Sequence, residues 1–160
     1  MVSSGKKRPV HKHAEHPARS PAEIRAALHA AGCRYTPQRA AVYSVLEQAH
    51  HHPTADDVYH AVRRNIPKIS LATVYNALEA LVESKLANKL TNGAASARYD
   101  CGGDEHYHLR DTATGEVRDL PIDFDAKLLE KISPELIKKL QREGFRVSGY
   151  RLEVLGRFEK

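Results

Sequence analysis

Apolar positions recur at helical spacing in four successive stretches of the first half of the chain and then switch to alternation. Ser20-Pro21-Ala22-Glu23 opens the first stretch with a Ser cap, a proline in the first turn and a Glu three places after the cap, and Gly32 closes it. Thr36-Pro37 repeats the cap and the proline, and Ala41, Val42, Val45 and Leu46 give the second helix one apolar stripe before the run His50-His51-His52. Pro53 breaks that pattern. Thr54 caps a third helix carrying Val58, Tyr59 and Val62, which ends near Asn65-Ile66-Pro67, and Ser70 caps a fourth with Val74, Ala77, Leu78 and Leu81 inward. From Leu86 the period is two: Leu86 to Leu90, the turn pair Asn92-Gly93 and then Ala97 to Asp100 predict a hairpin.

Cys101-Gly102-Gly103-Asp104 reads as a hinge. Beyond it, His106 to Arg110 and Glu116 to Leu120 predict two strands around a turn at residues 111–115. Phe124 to Ile132 and, after the pair Ser133-Pro134, Glu135 to Arg142 predict helices, with Gly144 as the stop. Phe145 to Phe158 alternates imperfectly and predicts a final strand or two. Helices followed at once by a hairpin are the order of a winged helix-turn-helix, whose last helix enters the DNA major groove. The expected fold class is therefore α+β: a winged-helix DNA-binding domain over residues 20–100, a hinge at 101–104 and a small C-terminal α/β domain over 105–160. A three-stranded sheet of that size has exposed edges and little core, so a second copy is its natural partner and a homodimer is expected.

Composition narrows the class. The chain has 160 residues, of which 41% are hydrophobic and 28% charged, as in soluble globular proteins. No apolar run approaches the roughly 20 residues of a membrane helix. Residues 1–19 lack the apolar core of a secretory signal, so the cytoplasm is the expected compartment and no membrane partner is expected. The formal net charge of +5 is concentrated in that segment, where Lys6, Lys7, Arg8, Lys12 and Arg19 face Glu15 alone. It reads as a disordered basic tail that adds salt-sensitive attraction to phosphates or merely solubilises. Cys33 and Cys101 fit neither a disulfide framework nor a zinc knuckle and read as free thiols.

Two groups of residues carry chemistry. With its apolar residues inward, the fourth helix leaves Ser70, Thr73 and Asn76 near its N-terminal end with Tyr75 beside them. Helix N-termini favour phosphate, hydroxyls and Asn bond to base edges, and a Tyr ring meets a thymine methyl. Arg39, near the start of the second helix, is the expected phosphate contact. Alone, such a face is usually just solvated; its place between a helix pair and a hairpin makes it a reading head. The second group is His106, His108 and Asp119. Two residues apart on a strand, the imidazoles share a face, with Asp119 on the neighbouring strand, which is half a metal site. A His-x-His pair by itself is more often non-ligating.

Longer motifs extend both groups. Arg34-Tyr35-Thr36-Pro37-Gln38-Arg39, His52-Pro53-Thr54-Ala55-Asp56-Asp57-Val58-Tyr59, Ile69-Ser70-Leu71-Ala72-Thr73-Val74-Tyr75-Asn76, Arg98-Tyr99-Asp100 and His106-Tyr107-His108 follow in an order that resembles the ferric uptake regulator family, from about Ser20 to the end. The resemblance implies a metal-responsive repressor that binds a palindromic operator in double-stranded DNA as a homodimer. It implies a regulatory metal site at His52, Asp100, His106, His108 and Asp119. Aspartates at both carboxylate positions look like the peroxide-sensing branch, in which Fe(II) reacts with hydrogen peroxide and a ligating histidine is oxidised; His52 and His106 are the positions that carry over. The nitrogen and oxygen donor set suits Fe(II) or Mn(II), with Zn(II) possible in vitro. The chain departs from the family where a structural zinc is often held by two Cys-x-x-Cys pairs: Asp111 and Thr114 occupy the first pair and Phe158 stands in the second, so no structural zinc is expected. The family's accessory second metal site looks incomplete here, since Tyr107 and Tyr150 occupy positions where ligands often occur. The rival readings are a repressor sensing iron or manganese level, a metal-independent binding module and, remotely, a metallohydrolase using His106, His108 and a carboxylate.

Overall fold

The structure, a computed structural model, describes residues 18–49, 51–92, 95–101 and 106–159. The expected hinge residues Gly102, Gly103 and Asp104 and nearly all of the basic tail lie outside the described residues. Four helices come first: α1 (Pro21–Ala30), α2 (Pro37–Gln48), α3 (Ala55–Arg63) and α4 (Leu71–Glu83). Each begins at the hydroxyl residue its sequence advertises. Ser20, Thr36, Thr54 and Ser70 all accept from the backbone N–H three residues on, and Glu23 and Asp57 close capping boxes at the first and third. Gly32, at φ 72°, turns the chain out of α1.

An antiparallel hairpin follows, β1 (Ala87–Asn92) with β2 (Ala95–Cys101), in which Lys89 pairs with Tyr99 and Asn88 with Asp100. One continuous core joins helices and hairpin: Leu28, Val42, Val58, Val74, Leu78, Leu81 and Leu86 are wholly buried, and the cluster runs from Ile24 to Tyr99. The α+β architecture with a winged helix first is thus the observed one.

The second half holds β3 (His108–Asp111), β4 (Val117–Asp119), α5 (Leu128–Ile132), α6 (Leu136–Arg142) and β5 (Glu153–Gly156). Its sheet has the order β4-β3-β5, with β3 antiparallel to β4 and parallel to β5, so α5 and α6 form the crossover. Several elements are shorter than the sequence pattern predicts. His106 precedes β3 rather than lying in it; the helix expected from Phe124 begins at Leu128; α6 starts without a side-chain cap, so Ser133-Pro134 does not open it; and only four residues of 145–158 form strand. The shortened elements pack sparsely. No residue of α5 or α6 is buried, and Ile132, Phe145, Val154 and Leu155 are exposed. No helix among the described residues is long and apolar enough to cross a membrane.

Candidate metal centre and DNA-facing surface

The loop between α2 and α3 carries His52, and the hairpin pins that loop in place. Tyr99 N–H donates to the Pro53 carbonyl at 2.9 Å, and Thr54 and Arg98 form an isolated bridge. His52 and Asp100 are brought together by these backbone bonds, with His52 Nδ1 3.6 Å from Asp100 Oδ1. The C-terminal sheet supplies the rest. His108 pairs with Asp119 across β3 and β4, and the Leu120 N–H donates to the Tyr107 carbonyl, which holds Asp119 beside the histidines.

The two halves meet at these side chains. His52, His106, His108 and Asp119 each offer a ligand atom, all within 4.8 Å of one another. Asp119 Oδ1 lies 2.8 Å from His52 Nε2 and 3.2 Å from His106 Nε2. Asp100 borders the group rather than joining it as closely, its Oδ2 3.6 Å from His106 Nε2. The rings of His52 and His106 are stacked with centroids 6.0 Å apart, and His108 meets both edge-on. All five residues of the expected set therefore converge although they come from four separate stretches of sequence.

Burial sets the electrostatics. Desolvation, reinforced by the charges of His52 and His106, pushes His108 down to about 4 and keeps it neutral at physiological pH, the form that ligates. At Asp119 desolvation works upward, but hydrogen bonds from His106 and His52 outweigh it and hold the carboxyl far below its usual range. Asp100, more deeply buried, is shifted upward by desolvation. These residues fit a divalent cation. His108 Nε2 and Asp100 Oδ2 are buried with no hydrogen-bond partner, a cost that an ion removes. The donors are imidazole nitrogen and carboxylate oxygen with no thiolate, which suits Fe(II) or Mn(II).

The DNA-facing candidates also cluster. Arg39, Thr73 and Asn76 line one open groove of about 450 Å³ between the α1–α2 loop and α4, together with Arg34 and Gln38. Ser70 and Thr73 hydroxyls lie 2.8 Å apart at the start of α4, and the Tyr75 ring is exposed. Arg39 Nη1 donates to the Arg34 carbonyl, which orients it toward this groove. The place of Arg34 on the loop lining the groove is a tertiary feature without a local signal in the sequence.

At the positions where thiolates are missing, hydrogen bonds tie the same segments. Asp111 accepts from the amides of Ala113 and Thr114 in its own turn and from Phe158 N–H at 2.8 Å across the domain. Thr112 N–H donates to the Gly156 carbonyl, and the Arg118 guanidinium sits 3.8 Å over the Phe158 ring. Tyr107 and Tyr150 hydroxyls are 2.6 Å apart, and Tyr107 Oη accepts from Asp125 N–H.

The model of the ferric uptake regulator family matches residues 30–155. The chain belongs to the ferric uptake regulator family. Within it, the peroxide operon regulator of Bacillus subtilis is 40% identical over 125 residues, spanning 78% of this chain and 81% of that protein. The chain is also similar to solved structures of the family. The Campylobacter jejuni peroxide stress regulator is 32% identical with a TM-score of 0.60, covering 78% of this chain and 87% of its own. The Pseudomonas aeruginosa ferric uptake regulator with manganese is 25% identical with a TM-score of 0.63, covering 86% and 98%.

Proposed function

We propose that this family member is a homodimeric, cytoplasmic repressor that binds a palindromic DNA operator when a divalent cation holds its two halves together, and that it responds to peroxide. The observation that carries this reading is the convergence of His52, His106, His108 and Asp119, contributed by both halves, on one small volume beside Asp100. Those five residues hold the ion. His52 and Asp100 anchor the winged helix to it, and His106, His108 and Asp119 anchor the C-terminal sheet. Two winged helices in a dimer then present their α4 helices at a fixed spacing, which a palindrome matches. Ser70, Thr73, Tyr75 and Asn76 address the major groove and Arg39 a phosphate. Dimerisation covers the exposed Ile132, Phe145, Val154 and Leu155.

Fe(II) held there would supply activation of hydrogen peroxide, whose two-electron reduction to water balances the gain of one oxygen by a nearby imidazole. His52 and His106 are the rings assigned to take up oxygen, and an altered ring loses the donor that joins the two halves. The peroxide reading is supported by the relatives named as peroxide regulators, and by aspartate at both carboxylate positions. Mass spectrometry tests it. Anaerobic Fe(II)-loaded protein treated with hydrogen peroxide should gain one oxygen on peptides containing His52 or His106, and Mn(II)-loaded protein should not. An unmodified Fe(II) form would leave the second reading, a repressor responding to manganese or iron level, which the same donor set accommodates.

A further inference from the structure

Arg98 lies on β2, in the DNA-binding half, and its guanidinium reaches two main-chain oxygens that belong to different halves of the chain. Nη1 donates to the carbonyl of His52 at 2.9 Å, and Nε donates to the carbonyl of Gly115 at 2.6 Å. Gly115 ends the β3–β4 turn with φ 71°, a left-handed conformation that glycine adopts without penalty and that aims its carbonyl at the arginine. Asp111 fixes that turn from the other side by accepting from the Ala113 and Thr114 amides, and the Gly115 N–H in turn donates to the Asp111 carbonyl. The receiving oxygen is therefore held by the C-terminal sheet itself.

This contact differs in kind from the histidine and aspartate contacts around it. Those involve groups that change protonation or would be taken over by an ion, whereas a guanidinium stays charged at every relevant pH and neither of its acceptors is a ligand atom. A planar fork spans two carbonyls at fixed separation; an ammonium is a point donor on a flexible stem.

We propose that Arg98 is a positioning residue that clasps the winged helix to the C-terminal domain independently of metal, and thereby sets how much cation is needed to complete the closed state. The inference rests on the reading that a cation stabilises closure. With a sizeable part of the metal-free protein already closed, the fraction closed sets the metal-free dimensions and also multiplies directly into the apparent metal affinity. Hydrogen bonds to a charged donor are strong enough that losing the clasp should raise the apparent Mn(II) dissociation constant about tenfold.

The test uses the full chain, as wild type, Arg98→Met and Arg98→Lys. Mn(II) binding is followed by electron paramagnetic resonance of the free ion, and molecular dimensions by small-angle X-ray scattering with and without Mn(II). Arg98→Met keeps an apolar stem and removes the donors; Arg98→Lys keeps the charge without the fork and guards against simple misfolding of the first variant. The clasp predicts larger dimensions than wild type for both metal-free variants, weaker Mn(II) binding, and return to wild-type dimensions at saturating Mn(II). A purely local role, in which Arg98 only supports the His52 loop, predicts weaker Mn(II) binding with metal-free dimensions equal to wild type, and that result overturns the clasp. Unaltered Mn(II) affinity overturns it as well. If instead wild-type operator binding ignores Mn(II), the switch itself fails, and the metal-free dimensions still report separately on the clasp.

Discussion

Asp111 ties the β3–β4 turn to the segment after β5 through a single carboxylate. Its two oxygens gather three backbone amides, and the Phe158 amide, followed by that of Thr114, holds the carboxyl down to about 2. Because the folded-state value is depressed, the stabilisation is complete above the ordinary carboxylate value of about 4 and is lost as the pH falls through about 2. Asp111→Asn should therefore lower the melting temperature at neutral pH and flatten its fall between about pH 4 and pH 2; thermal scans of both proteins across that window check it. Neither Asp111 nor Arg98 drew a role from sequence reading, and for the same reason: their partners are main-chain carbonyls and amides, which leave no mark on residue type. Two imidazoles two apart with an aspartate on the next strand mark half a candidate site, so His106, His108 and Asp119 are legible, while His52 and Asp100 enter only through resemblance to the family.

The winged-helix elements were legible because their signals are local. Caps, prolines and the change of period from helical to alternating all act within a few residues, and α1 to α4 and the β1–β2 hairpin form where those signals stand. Thr54 is the cap with most at stake, since its Oγ1 accepts from Asp57 N–H, Asp57 returns the bond, and its backbone meets Arg98 one residue from Pro53. Thr54→Ala should cost roughly 0.5–2 kcal/mol in denaturant unfolding. It should also weaken Mn(II) binding by loosening the His52 loop, an effect absent from the equivalent Ser20→Ala at the far end of the domain. In the C-terminal half the sequence pattern overstates every element, although β3 and β4 pair as expected. Phe145 to Phe158 alternates imperfectly, yet among the described residues only Glu153–Gly156 finds a neighbouring strand, and no residue of α5 or α6 is fully buried.

The molecule as a whole joins a well-packed winged helix to a sparsely packed sheet. The buried apolar cluster lies within residues 24–99, whereas beyond residue 101 only Tyr107 and Val117 are buried hydrophobics among the described residues. Contacts between the halves are correspondingly polar: His52 with Asp119, His106 with Asp100, and Arg98 with the Gly115 carbonyl. Polar interfaces of that kind leave domains free to reorient unless something binds the closed arrangement preferentially. A preference of a few kcal/mol suffices to move the population from mostly open to mostly closed. The most direct measurement is the affinity of the wild-type protein and His106→Ala, with and without Mn(II), for a palindromic duplex selected from random DNA by the Mn(II)-loaded protein. The account predicts tight wild-type binding only with Mn(II), and no Mn(II) dependence in His106→Ala with the dimer intact. Equal wild-type affinity in the presence and absence of Mn(II) would contradict it.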